Sequence, residues 1–176
     1  MTSEETRTAL THFYDAFARR DGGTMAGMYS DRATFEDPVF RLKGEEIGRM
    51  WVGLLGRARD FSVAYTIAQA ASGRGTVEWT ARYLFGGRRP VVNVIVSEIE
   101  FDGEKIARQV DRFDFPRWAA QALGTPGRIF GRFGWFRRAV SRKAARGLGV
   151  TPKSSSAADI RTIRPEKTSE RSRDSP

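Results

Sequence analysis

Two adjacent carboxylates, Glu36 and Asp37, follow a short apolar run and come directly before Pro38. Acidic side chains at the end of a strand can simply form a surface turn. A carboxylate that faces an apolar pocket can instead accept a proton near neutral pH, because desolvation raises its pKa. Asp37 is therefore a candidate general base, and Glu36 is expected to face solvent.

A second carboxylate, Asp111, lies in an alternating segment near the end of the apolar part of the chain. Together with Asp37 it could act as an acid–base pair, for example to activate water against an epoxide, with Asn93 positioning the water. Two other interpretations stay open. Asp111 could form a surface ion pair with Arg108 or Arg112, and Asn93 could make only a structural hydrogen bond.

Helical spacing of apolar residues comes first in the chain, and period-two alternation follows it. The capping box at Thr2 and Glu5 starts the first helix, and Gly44 precedes the third. Helices are predicted at residues 3–20, at residues 23–29 and after Gly44, with a short strand at 33–36. Four further strands are predicted at about 61–67, 77–85, 91–101 and 106–115. Helices followed by an antiparallel meander predict an α+β fold.

The order helix–helix–strand–helix–meander, with the motif M-Y-S-D-R-A-T-F-E-D-P at residues 28–38, resembles the nuclear transport factor 2-like superfamily. This superfamily includes the ketosteroid isomerases and the SnoaL-like polyketide cyclases. The resemblance covers about residues 3–115, so residues 1–115 are predicted to form one such domain. It implies a cone-shaped, curved antiparallel sheet packed on three N-terminal helices around a conical pocket. It also implies a homodimer.

The resemblance places the catalytic base of the isomerases at Asp37. The two groups that stabilise the enolate oxygen in those enzymes fall on Phe13 and Ser97, so both strong donors are expected to be lost. Tyr14 is one residue away, which on a helix is a rotation of about 100°. Losing one such donor costs roughly 2.7–4 kcal/mol of barrier, so fast isomerisation is not expected.

Strand parity, together with the concave face that the resemblance implies, predicts an aromatic pocket with a few polar groups. Val92, Val94 and Val96 are also apolar, so this strand alone does not show which face is inside. We expect a small apolar or polycyclic ligand, with proton transfer on Asp37. The alternative is a non-enzymatic module with a vestigial pocket. The predicted lining consists of Phe13, Tyr14, Phe17, Trp51, Trp79, Tyr83, Asn93, Ser97, Gln109 and Phe113.

The charge is divided unevenly along the chain. Residues 1–115 hold 16 basic and 17 acidic residues, a net charge of −1, and residues 116–176 hold 14 and 4, a net charge of +10. Residues 116–149 are predicted to form a basic amphipathic helical extension. It could pack on the domain or on a second subunit, or it could bind an anionic membrane surface; nucleic acid is a less favoured partner. The predicted contact surface consists of Arg128, Arg132, Trp135, Arg138, Arg142 and Lys143.

Polar and charged residues dominate the segment after the extension, so residues 150–176 are predicted to be a disordered tail. The chain contains no cysteine and one histidine, and we expect neither a bound metal nor another cofactor. The N-terminus is acidic and polar, unlike a signal peptide. These features predict a cytoplasmic protein, peripheral at a membrane if the extension binds lipid.

Overall fold

Helices and strands follow one another in nearly the predicted order in the computed structural model, which describes residues 1–153. Six helices and six strands occur in this part of the chain. They are α1 (Ser3–Ala18), α2 (Gly22–Gly27), β1 (Tyr29–Glu36), β2 (Arg41–Lys43), α3 (Glu45–Arg57), β3 (Arg59–Ala71), β4 (Arg74–Phe85), β5 (Arg89–Asp102), β6 (Lys105–Arg112), α4 (Phe115–Leu123), α5 (Thr125–Phe130) and α6 (Gly134–Leu148). The predicted disordered tail lies outside the described residues from 154 onward.

Helix α1 forms as its sequence predicts. The Thr2 side chain accepts a hydrogen bond from the Glu5 backbone N–H, and the Glu5 side chain accepts one from the Thr2 N–H, which completes the capping box. Its apolar residues are buried against β3 and β4. A Cβ at Gly75 of β4 would lie 2.4 Å from Leu10 Cδ1, so the Leu10 side chain would have to shift to accommodate it.

One curved, open sheet contains all six strands in the order β2-β1-β6-β5-β4-β3. The meander β3–β6 is antiparallel, as predicted, but β1 runs parallel to β6. Two further details differ from the prediction. Tyr29 is the first residue of β1 and not the end of the second helix, and the three-residue strand β2 is too short to show a sequence period.

Burial along β5 shows which face of the sheet is inside. Ile95 and Ser97 are buried, and Asn93 on the same face is half-buried. Val94 and Val96, on the opposite face, are exposed. The parity that groups Asn93 with Ser97 is therefore confirmed, and the sheet wraps this face around α1.

The segment after β6 folds back onto the domain. The Gln121 side chain of α4 hydrogen-bonds both the N–H and the carbonyl oxygen of Val92, which holds α4 on β5. Helix α6 contacts α3. Residues 150–153, assigned by the sequence to the tail, continue this packing, because Val150 is buried and Thr151 bonds the Glu46 carboxylate.

Candidate functional site

Asp37 lies at the end of β1 in a tight loop that returns to β2. Its Oδ1 accepts hydrogen bonds from the backbone N–H groups of Val39 (2.6 Å) and Phe40 (2.5 Å). The Asp37 N–H in turn donates to the Phe40 carbonyl oxygen at 3.0 Å. The residue is half-buried. Asp37 thus forms the turn that one interpretation of the sequence predicted, while its carboxyl group remains at the edge of the interior.

Asp111 is buried on β6 and takes part in a polar chain inside the sheet. Its Oδ1 accepts hydrogen bonds from Ser97 Oγ (2.6 Å) and Gln109 Nε2 (2.9 Å). Ser97 Oγ also accepts the indole N–H of Trp79 at 2.7 Å. The surface interpretation is wrong, because Arg108 and Arg112 instead pair with Glu100 and Glu98 on the outer face.

The chain of hydrogen bonds continues on the other side of Gln109. Tyr29 donates its hydroxyl to Gln109 Oε1 at 2.6 Å, and Trp51 donates its indole N–H to the Tyr29 oxygen at 2.9 Å. Each buried polar group between Trp51 and Trp79 therefore has a partner, as stable interiors require. Tyr29 was not predicted as a site residue, because helical spacing assigned it to the second helix and not to β1.

The parallel pairing of β1 with β6 brings the two carboxylates together. Phe35 is opposite Gln109 and Glu36 is opposite Val110, so the next positions are Asp37 and Asp111. Neighbouring strands lie about 4.8 Å apart, which makes these side chains close neighbours at one edge of the inner face. The sequence alone could not give this separation, because it does not reveal the parallel pair.

Both carboxyl groups have raised pKa values, chiefly because burial disfavours the charged form. The pKa of Asp37 rises to about 7, with Asp111 raising it further, while the N–H groups of Phe40 and Val39 and the Lys153 charge oppose the rise. The pKa of Asp111 rises to about 6, opposed by the hydrogen bonds from Ser97 and Gln109. At pH 7, therefore, Asp111 is mainly a carboxylate, and Asp37 is divided between its carboxylate and carboxylic acid forms.

Tyr14 adds a hydroxyl group that no residue satisfies. Its side chain is fully buried, and its Oη has no hydrogen-bond partner in the described chain. Burial, followed by the charge of Asp111, raises its pKa well above the ordinary value, so it stays a neutral donor. The Ser97 side chain, whose hydroxyl donates to Asp111, opposes this rise in the Tyr14 pKa, so Tyr14 lies beside the buried polar chain.

Five of the predicted lining residues pack tightly against one another in the interior. Their rings meet at centroid distances between 5.0 and 6.3 Å, and all are buried. Two cavities of about 790 and 540 Å³ lie outside this region, near the C-terminal ends of α1 and α3. The five residues are Phe13, Tyr14, Phe17, Trp51 and Trp79. The cone is thus largely occupied by side chains.

Of the five remaining predicted lining residues, Ser97 and Gln109 are buried, and three are half-buried, namely Tyr83, Asn93 and Phe113. Helix α4 covers this part of the inner face, where Trp118 donates its indole N–H to the Tyr83 oxygen at 2.8 Å. The ring of Phe113 also contacts Trp118. The structure therefore separates the predicted lining into a packed interior and a more accessible part under α4.

Lys153, which was not predicted as a site residue, stabilises the loop of Asp37 by two hydrogen bonds. Its Nζ donates to the Asp37 carbonyl oxygen at 2.8 Å and to Glu36 Oε1 at 3.0 Å. Ser141 of α6 donates to the Val39 carbonyl oxygen at 2.6 Å. No sequence signal could have found these contacts, since they join positions more than a hundred residues apart.

The predicted contact surface of the extension lies apart from this site. Its members, Arg128, Arg132, Trp135, Arg138, Arg142 and Lys143, are all exposed. A break at residues 131–133 separates α5 from α6, so Ile129, Phe130 and Phe133 do not continue the apolar stripe of α6. That stripe packs on the domain, whereas these three residues face solvent.

Comparison with known proteins gives one family match. Residues 10–109 match the family model described as the SnoaL-like domain. The chain matches no curated protein.

Solved structures share the fold at low sequence identity. A protein with a ketosteroid isomerase-like fold from Catenulispora acidiphila, solved with trimethylamine, is 18% identical with a TM-score of 0.59, covering 68% of this chain and 95% of that chain. An LEH-like epoxide hydrolase from M. tuberculosis is 22% identical with a TM-score of 0.56, covering 73% and 94%. In both comparisons nearly all of the other protein is matched, whereas about 30% of this chain has no counterpart.

Proposed function

Because this chain belongs to the family of SnoaL-like domains, we propose that it binds a small apolar molecule beside Asp37 and Asp111 and transfers a proton on it. The carboxylate pair carries this proposal. Half-buried Asp37 and buried Asp111, with pKa values of about 7 and about 6, supply an acid and a base at neutral pH. Purely structural ion pairing would lower these pKa values.

The chemistry would divide among three groups. The Asp37 carboxylate takes a proton from the carbon next to a ligand carbonyl, and the electron pair of the C–H bond moves onto the carbonyl oxygen. The unpartnered Tyr14 hydroxyl is a neutral donor for that oxygen. Asp37 then returns the proton to another carbon or to the same one. The charge of Asp111, which Ser97 and Gln109 hold in place, raises the pKa of Asp37 and so makes Asp37 a stronger base.

The crowded interior restricts the ligand. The rings of Phe13, Phe17, Trp51 and Trp79 fill the cone, so a polycyclic molecule has no room without displacing them. A small ketone or epoxide would displace fewer of these rings than a polycyclic molecule. Epoxide opening by an activated water uses the same acid and base.

A hydrogen–deuterium exchange assay tests the proposal directly. Full-length protein in D₂O is incubated with a panel of cyclic ketones, and NMR follows deuterium entering the carbon next to the carbonyl. A parallel panel of aliphatic epoxides is monitored for diol formation. We expect Asp37→Asn to lower the rate about 100-fold or more, as loss of a general base does.

Asp31→Asn is the matched control, because Asp31 is an exposed carboxylate on the same strand. It should leave the rate unchanged. Wild-type protein that exchanges no ketone and opens no epoxide would contradict the proposal.

A second candidate function rests on the same packed interior. The mutual contacts of Phe17 with Trp51, Phe61 and Trp79 suit a solid core as well as a binding site. A non-enzymatic module would then act through its C-terminal extension. Inactivity of the wild-type protein in both panels would favour this function.

A further inference from the structure

The turn between α5 and α6 exposes a cluster of apolar side chains that the candidate site does not use. Ile129, Phe130, Phe133 and Trp135 are 57%, 37%, 52% and 52% exposed. The rings of Phe130 and Trp135 lie 5.5 Å apart, and both contact Phe136. We call Ile129, Phe130, Phe133 and Trp135 the aromatic tip. Exposed apolar clusters of this kind mark interaction sites.

The aromatic tip is held on a firm support. A Cβ at Gly127 would lie 1.8 Å from the carbonyl oxygen of Ala119, so only glycine lets α5 approach α4 this closely. Gly131 is buried against Gly127 and Pro116 in the same way. These contacts anchor α5 by its backbone and leave its large side chains directed away from the domain.

Positive charge surrounds the aromatic tip. Residues 125–150 contain seven basic residues and no acidic residue. They are Arg128, Arg132, Arg137, Arg138, Arg142, Lys143 and Arg146, and all are exposed. The ion pairs of residues 1–153 involve none of them, although they neutralise five other basic side chains. The charge here is therefore available to an anionic partner.

We propose that the aromatic tip and these basic residues dock the protein onto a bilayer that contains anionic lipid. Trp and Phe side chains partition into the headgroup region, while Arg and Lys contact the lipid phosphates. A nucleic-acid duplex would satisfy the arginines but would leave Ile129 and Phe133 in water. No helix in residues 1–153 could cross a membrane, so the contact is peripheral. The proposal does not depend on catalysis at Asp37.

Vesicle binding and Trp135 fluorescence test the proposal together. Full-length protein is sedimented with phosphatidylcholine vesicles, with and without phosphatidylserine. The other three tryptophans, Trp51, Trp79 and Trp118, are buried, so a blue shift on adding vesicles reports Trp135. We expect sedimentation and a blue shift only with phosphatidylserine, and Trp135→Phe should abolish the shift while largely retaining sedimentation.

Variants separate the docking surface from overall charge. Phe133→Ser/Trp135→Ser should weaken vesicle binding about tenfold or more, because it removes the inserted rings. Arg128→Glu/Arg132→Glu/Arg138→Glu should do the same. The matched control, Arg7→Glu/Arg32→Glu/Arg82→Glu, makes the same change in net charge at exposed positions elsewhere and should change binding less than about threefold.

Three outcomes would overturn the proposal. One is wild-type protein that fails to sediment with phosphatidylserine vesicles. Another is an equal loss of binding in the two arginine triple variants, which would show that net charge alone is responsible. The third is binding to duplex DNA without any binding to vesicles, which would identify nucleic acid as the partner. Circular dichroism melting of each variant confirms that the fold is retained.

Discussion

The four tryptophans divide the molecule into two regions with opposite relations to water. Trp51, Trp79 and Trp118 are buried, and each donates its indole N–H to an oxygen of Tyr29, Ser97 or Tyr83. Trp135 is 52% exposed, and its N–H has no acceptor among residues 1–153. Indole groups need an acceptor when buried, whereas at a membrane interface water and lipid headgroups supply one.

The interior and the aromatic tip differ in which kind of group lacks a partner. In the interior, polar atoms are joined in one chain from Trp51 through Asp111 to Trp79, and the exception is the Tyr14 hydroxyl. At the aromatic tip, the apolar groups lack partners instead. Within residues 1–153, the interior thus contains an unsatisfied polar atom, whereas the aromatic tip exposes an apolar cluster.

Of the predicted effects, the largest should be the change of unfolding free energy with pH, which comes from the interior and not from the aromatic tip. Asp37 and Asp111 have folded pKa values of about 7 and about 6, compared with about 3.9 in an unfolded chain. The folded state binds these protons more tightly, so their stabilising contribution is complete below about pH 4 and is lost as the pH rises to about 7. Each group lowers the free energy of unfolding by up to about 1.4 kcal/mol per pH unit in its window.

Urea denaturation over a pH series would measure this slope. The double variant Asp37→Asn/Asp111→Asn should lose it, whereas Arg128→Gln at the edge of the aromatic tip should keep the wild-type profile. If the unfolding free energy of the double variant changed with pH in the same way as that of the wild type, the raised pKa values of Asp37 and Asp111 would be contradicted.

Replacing phenylalanine by alanine should destabilise the protein much more in the interior than at the aromatic tip. Phe13 is fully buried, so Phe13→Ala should lower the free energy of unfolding by about 3–5 kcal/mol. Phe133 is about half exposed, and Phe133→Ala should change it by less than about 0.5 kcal/mol. Chemical denaturation measures both. Similar losses would mean that the aromatic tip is part of the core.

Removing the hydroxyl groups of two interior tyrosines should have smaller and unequal effects on the unfolding free energy. Tyr29→Phe leaves Gln109 Oε1 and the Trp51 N–H without a partner, so we expect a loss of about 1–3 kcal/mol in unfolding free energy. Tyr14→Phe removes a hydroxyl that has no partner and should be neutral or stabilising. Equal losses, measured by urea denaturation, would show that the Tyr14 hydroxyl is hydrogen-bonded.

Sequence reasoning located the fold and the interior well, because both follow from short-range periods. Alternation in β5 grouped Ser97 with Asn93 on one face, and the family resemblance implied that this face is the inner one. The motif before Pro38 placed Asp37 at the end of a strand. The inner face of β6 was likewise predicted from Gln109 and Asp111, which are both buried. The period of a strand or helix is a local property, so a single sequence carries it.

Contacts between distant segments were the part that sequence could not supply. The parallel pairing of β1 with β6 and the bond from Lys153 to the Asp37 carbonyl oxygen join parts of the chain that no local pattern relates. The helical extension predicted at residues 116–149 did not include a break at residues 131–133, although Gly131 and Gly134 weaken a helix there. The observed break is what exposes Phe133 instead of packing it.

Carboxyl ¹³C NMR titration of the full-length protein measures the protonation of Asp37 and Asp111, on which the proposed proton transfer depends. We predict apparent pKa values of about 7 and about 6, and a further rise for Asp37 in Lys153→Met, because the Lys153 charge lowers the Asp37 pKa. Titration of both groups near the ordinary value of about 3.9 would contradict the account.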